Sequence, residues 1–173
     1  MTARSDSSRH LRHFLLGGVP LTPGAWVRTA ELGAALVAAV RIGRVFAASG
    51  LAAALAEMPP VSSRKPARRD TGRAAIFCAR SAGWRLQGLL RTVTGWHRCL
   101  HESLALVAGL RTLGFPVEVV IGYPVIERPD NRDELHAWPA LGGTPLVGRP
   151  DSSRTNYLEL ARYPGPGTTA VRP

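Results

Sequence analysis

Cysteine is scarce in this sequence, which has two, Cys78 and Cys99, in 173 residues. Two thiols do not make the disulfide framework of a small secreted domain, and neither has a second cysteine at CxxC spacing for zinc. A reducing cytoplasm is the simplest compartment. A secretory signal is not expected, because the apolar patch Phe14-Leu15-Leu16 stops at Gly17-Gly18, short of a signal core. An unbroken run of about 20 apolar residues, which a membrane span requires, is lacking too. Arg41 and Arg44 interrupt the Ala-, Val- and Leu-rich segment Leu32 to Leu55. It reads as buried helix with snorkelling arginines and no transmembrane span, with a peripheral membrane contact as the rival reading. There is no internal repeat.

What is present is a chain long enough for one domain with a real core. Hydrophobic residues make up 45% and charged residues 20%, which argues against wholesale disorder. The net charge of +10 suggests nucleic acid until its distribution is read. Met1 to Gly95 carries 14 Arg and Lys against 4 acids, whereas Trp96 to Tyr163 carries 7 against 8. The basic half is therefore not the half with candidate chemistry. With no recognition motif present, no nucleic-acid partner is expected.

Residues 1–18 read as a flexible basic arm, 19–163 as a single domain with a helical part over 19–95, and 164–173 as a disordered tail. Thr22 and Pro23 suggest an N-cap and first helical position, opening a helix from about Gly24 to Ser49. Gly50 punctuates it before a short helix, Leu51 to Met58, and residues 74–92 return to helical spacing. The intervening Arg64-Lys65 and Arg68-Arg69 pairs read as solvated loop charge, or as a docking surface for an acidic partner. Cys78, between Phe77 and Ala79, reads as a buried small hydrophobe.

The chemistry concentrates after Trp96. Leu100, Leu104, Val107 and Leu110 repeat with the period of an amphipathic helix, and Gly114 followed by Pro116 stops it. Cys99 then falls at the helix N-terminus, where unpaired N–H groups and the positive end of the helix dipole stabilise a thiolate. The same N–H groups suit the oxyanion of a tetrahedral intermediate. Val117 to Gly122 is a β-branched run and reads as a strand. His136, in the next strand pattern Leu135 to Leu141, is the candidate general base. Trp138 is the candidate substrate contact, as a wall of a cleft, with core packing as its plainer role. His97, Cys99 and His101 crowd together without a second cluster, so no metal site is expected.

Gly142-Gly143 suggests a two-residue hairpin pairing Leu141 with Thr144. Counted back, His136 would oppose Arg149, and Asp151 would share its face as a diagonal neighbour able to orient the imidazole. Asp130, Asp133 and Glu134 remain substitutes for that acid.

Cys99-Leu100, Ser103 to Leu106, Leu113-Gly114-Phe115-Pro116, Val119 to Gly122 and His136-Ala137-Trp138 together resemble the peptidase half of lasso-peptide biosynthesis B proteins. The resemblance spans roughly residues 19–163 and is specific from Cys99 to Trp138. It implies an α+β, transglutaminase-like, papain-related fold, a Cys-His-Asp triad and no cofactor. It also implies a cytoplasmic thiol peptidase that cuts the leader from a ribosomally made precursor peptide. A separate PqqD-like leader-recognition protein would hold the leader, and an ATP-dependent lasso cyclase would close the ring. The alternatives are a transglutaminase or acyltransferase of related fold, or a non-catalytic scaffold of a peptide-maturation complex.

Overall fold

Residues 25–95, 98–124, 135–147 and 157–164 are described in the computed structural model, and they form three long helices and a four-stranded antiparallel sheet. Helix α1 spans Leu32–Ala56 and follows a short 3-10 turn, Thr29–Glu31. It buries Leu32, Ala35, Ala39 and Ile42, the three-to-four spacing of one helical face. At Gly50 the backbone leaves helical geometry, with φ of 79°, so two helical segments meet across a kink there, as the punctuation suggests. By length and composition the stretch Thr29–Ala56 is long and apolar enough to cross a membrane. In this fold its alanine stripe packs on the other helices, while Arg41, on the exposed side, pairs with Glu57 at 2.7 Å.

The start of α1 departs from the sequence expectation. Ala25 to Arg28 are not helical, and the expected cap at Thr22-Pro23 lies outside the described residues. The cause is Arg68, read from the sequence as solvated and found 1% exposed. Its guanidinium donates to the carbonyl oxygens of Ala25 (3.1 Å), Trp26 (2.7 Å) and Leu113 (2.8 Å) and to the Glu31 carboxylate (2.9 Å). It also sits 5.7 Å from the centre of the Phe115 ring. Two carbonyls that a longer helix would have used internally are thus engaged by a side chain more than 40 residues away. Local propensity loses to a tertiary partner that satisfies several groups at once. The hydrogen bond from Arg68 holds the Glu31 carboxyl below the usual carboxylate range, burial opposing.

Helix α2, Arg73–Thr94, presents Ala74, Ala75, Cys78, Ala79, Ala82 and Gly83 to the core, small residues that allow close helix approach. Helix α3, Cys99–Thr112, is the centre of the molecule. The sequence suggests one apolar face, yet every residue from Ser103 to Leu110 is buried, because α1, α2 and the sheet enclose it. Its end is a Schellman motif: Phe115 N–H donates to Leu110 O (3.1 Å) and Gly114 N–H to Arg111 O (2.9 Å). Gly114 adopts φ of 102°, a left-handed conformation that a side chain would penalise.

The sheet has the order β3-β2-β1-β4, with β1 Glu118–Pro124, β2 His136–Leu141, β3 Thr144–Pro145 and β4 Tyr157–Tyr163. The hairpin closes with Leu141 opposite Thr144, as the diglycine suggests, both glycines having positive φ. Strand alternation sends Val119, Ile121, Ala137 and Leu141 to the helix side, and Val120, Trp138 and Ala140 to a second cluster on the outer side.

The buried Arg68 yields a stability prediction. Arg68→Ala leaves three carbonyls and a carboxylate without their donor, so the unfolding free energy should fall by about 3–5 kcal/mol. Urea denaturation followed by circular dichroism measures it; a change within the ±0.5 kcal/mol or so typical of surface substitutions would contradict the clamp.

Candidate active site

Cys99 is the first residue of α3, and Arg98, with extended ψ of 153°, is its N-cap. The helical hydrogen-bond ladder opens with Glu102 N–H to Arg98 O at 3.1 Å. The N–H groups of Cys99 and Leu100 therefore stand ahead of the ladder, and that of Leu100 is hydrogen-bonded to the Cys99 sulfur.

Strand β2 brings the imidazole. His136 pairs through its backbone with Gly122 of β1, so the neighbouring residues 135 and 137 turn their backbone groups to the opposite edge of β2. That edge is taken by β3 only at Ala140 and Leu141. Beside Leu135 and Ala137 it is occupied by the head of α3. The Cys99 S–H donates to Leu135 O at 3.6 Å, the Ser103 hydroxyl donates to Ala137 O at 2.9 Å, and the Ala137 N–H is hydrogen-bonded to the sulfur. A helix N-terminus docked on a strand edge thus puts the sulfur beside His136, and the imidazole is hydrogen-bonded to it.

That imidazole contact is the main cause holding the Cys99 thiol below its ordinary value. Burial pushes the other way, and the Ala137 N–H, the charge of His136 and the Leu100 N–H reinforce the lowering. A carboxylate one turn along α3 would oppose a thiolate, but Arg91 occupies both oxygens of Glu102, at 2.6 and 2.9 Å. The second cysteine is different: Cys78 is buried on α2 within the helical core, as its sequence neighbours suggest.

The imidazole is bracketed by aromatics. Trp138, 6% exposed, stacks on His136 with centroids 6.0 Å apart and planes at 24°. Tyr157 of β4 closes the trio, 5.7 Å from His136 and 5.6 Å from Trp138. Gly122 makes room, since a Cβ there would lie 2.7 Å from the edge of the Trp138 indole. His101 points elsewhere, its ring 5.4 Å from Phe46 of α1. Among the described residues no three His, Cys, Asp or Glu side chains gather in a way that could hold a metal.

The structure therefore brings together Cys99, His136 and Trp138. The acid candidates Asp151, Asp130, Asp133 and Glu134 lie outside the described residues, as does His97. Sequence reasoning missed Ser103, Gly122 and Tyr157 as parts of the site. A signal existed for Ser103, a hydroxyl one helical turn beyond the cysteine in an otherwise apolar run. None existed for Tyr157, which reaches the site only through strand pairing with β1.

Three outcomes test this geometry. Alkylation of Cys99 by iodoacetamide should titrate with a midpoint below the ordinary cysteine value of about 8.5. His136→Ala should raise that midpoint, because burial remains while its chief counterweight is lost; an unchanged midpoint would contradict the contact. Gly122→Ala should move the midpoint in the same direction by displacing the indole that seats the imidazole, and a profile identical to the parent chain would show that the stack positions nothing.

An arrangement of thiol at a helix head, imidazole on the adjoining strand and backbone N–H groups beside the sulfur has the parts for acyl transfer through a thioester. Comparison with known proteins agrees at the level of fold: residues 34–162 match the Transglutaminase-like superfamily. No curated protein and no solved structure matches the chain. With the match covering most of the sequence, and with helices packed on a small antiparallel sheet as expected, the chain belongs to the transglutaminase-like superfamily.

Proposed function

We propose that the protein is a cysteine peptidase that removes the leader from a ribosomally made lasso precursor peptide, with Cys99 as nucleophile and His136 as general base and acid. The observation that carries the peptidase reading is the hydrogen bond between the His136 imidazole and the Cys99 sulfur at the head of α3. The resemblance from Cys99 to Trp138 supports the choice of substrate. In this reading the Cys99 thiolate attacks the scissile carbonyl carbon, and the oxyanion forms beside the N–H groups of Cys99 and Leu100. His136 gives its proton to the leaving amine as the carbon–nitrogen bond breaks. Water, deprotonated by His136, then cleaves the thioester, releasing a carboxylate and restoring the thiol.

The freed amino terminus of the core would pass to an ATP-dependent cyclase in the same cytoplasm. A separate PqqD-like protein would hold the leader. An acid, Asp151 first among the candidates, would complete the triad. The family also contains the chemistry of transfer to an amine, and the acceptor decides between the two. Hydrolysis yields a free carboxylate at the cut, whereas transfer yields an amide, and mass spectrometry of the product separates them.

The test is cleavage of the precursor in the presence of its recognition protein. Cys99→Ala should abolish it, and His136→Ala should slow it by on the order of 10²–10⁴-fold. Substantial cleavage by either variant would defeat the proposal.

A further inference from the structure

The apolar inner face of the sheet extends past the helix that covers it. Val119, Ile121 and Ala137 lie on that face and pack against the helices. Tyr123, two residues beyond Ile121, falls on the same side and is paired in register with Leu158 of β4. Leu135, two residues before Ala137, joins them by the same alternation. Helix α3 begins at Cys99, level with Leu135, whose carbonyl accepts a hydrogen bond from the Cys99 S–H at 3.6 Å. Beyond this point the row Leu135, Tyr123, Leu158 crosses three strands. Leu135 is 53% exposed, Leu158 60%, and Tyr123 is half-buried.

Single exposed leucines are ordinary on protein surfaces. A row of three large apolar side chains that starts at the residue touching a reactive sulfur is not explained that way. Its size limits the occupant. Neighbouring strands are about 4.8 Å apart, so the row spans roughly 10 Å, the reach of one bulky side chain. A stable protein partner would bury about 800 Å² on this side, contributed by some 20–30 residues, far more than three. The Leu135 carbonyl lies beside the Cys99 sulfur, so one end of the row adjoins the atom that a substrate carbonyl must reach.

We infer that this shelf receives a bulky aliphatic or aromatic side chain of the peptide being cleaved, next to the scissile bond. The inference rests on the peptidase reading above and adds to it a substrate class: peptides with a large apolar residue beside the cut. Leu158 acts as a specificity determinant, distant from the sulfur and with no part in the bond-making steps.

The experiment uses the full chain, its leader-recognition protein and a set of precursor peptides in which the residues flanking the cleaved bond are varied among Leu, Phe, Ser, Lys and Asp. The parent chain should favour Leu and Phe by about tenfold or more in kcat/KM. Leu158→Ser should reduce that preference to within about threefold while the rate of Cys99 alkylation by iodoacetamide stays the same. Cleavage without preference for Leu or Phe, or an undiminished preference in Leu158→Ser, overturns the shelf and leaves the peptidase reading standing. If no peptide is cleaved although Cys99 is alkylated, the peptidase reading itself falls, and the shelf with it. A dimer in concentration-dependent light scattering that Leu158→Ser dissociates would also overturn it, by showing that a second copy covers the row.

Discussion

The docking of the α3 N-terminus onto the edge of β2 is the constraint from which the site follows. Ala137 uses both its backbone groups there, its N–H toward the Cys99 sulfur and its carbonyl toward the Ser103 hydroxyl. One strand edge thereby fixes the depth and the rotation of the helix together. A strand edge left bare would be a liability; here its hydrogen-bonding groups hold the sulfur. Because His136 is flanked by the two residues whose backbone meets the helix, the imidazole arrives beside the sulfur as a consequence of strand alternation. The same contact gives the thiol its lowered pKa, and the thiolate is the form that attacks a carbonyl.

The rest of the fold keeps that docking rigid. A helix buried on every side from Ser103 to Leu110 has little freedom to rotate. Below it, Arg68 ties the extended entry to α1, Glu31 and the C-terminal end of α3 into one knot of hydrogen bonds. A buried guanidinium is costly unless its donors are matched, and here they meet three carbonyls and a carboxylate. The C-terminal end of α3 is thus held by Arg68 and its N-terminus by β2. The outer face of the sheet contributes differently. There Trp138 and Tyr157 bracket the imidazole, and Gly122 leaves the space they occupy. In a site of this kind the ring must present one nitrogen to the sulfur, and flat aromatic neighbours restrict its tilt as an orienting carboxylate would restrict its rotation.

The charge pattern takes on a different meaning in three dimensions. The Arg64-Lys65 and Arg68-Arg69 pairs read as solvated or partner-binding charge, yet Arg68 is interior; elsewhere in the basic half Arg91 neutralises Glu102 beside the thiol, and Arg85 caps the carbonyl of Val27 at 2.9 Å. Arginine is suited to such work because its planar fork satisfies several acceptors without losing its charge. A count of positive residues therefore overstates how much positive surface is left for a partner.

What the sequence by itself determined is local. The period of Leu100, Leu104, Val107 and Leu110, with the Gly114-Phe115-Pro116 stop, placed Cys99 at a helix head. The β-branched run placed β1, and the diglycine set the register of β2 on β3. Each of these depends on neighbours within a few residues, where backbone sterics and hydrogen-bond spacing decide the outcome. Tertiary structure alone decided that residues 135 and 137 turn their backbone toward α3, that Tyr157 closes over the imidazole, that Arg68 is buried and that α1 starts late. Those contacts join segments separated by tens of residues. Each exists because a buried polar group must find a partner wherever the fold supplies one.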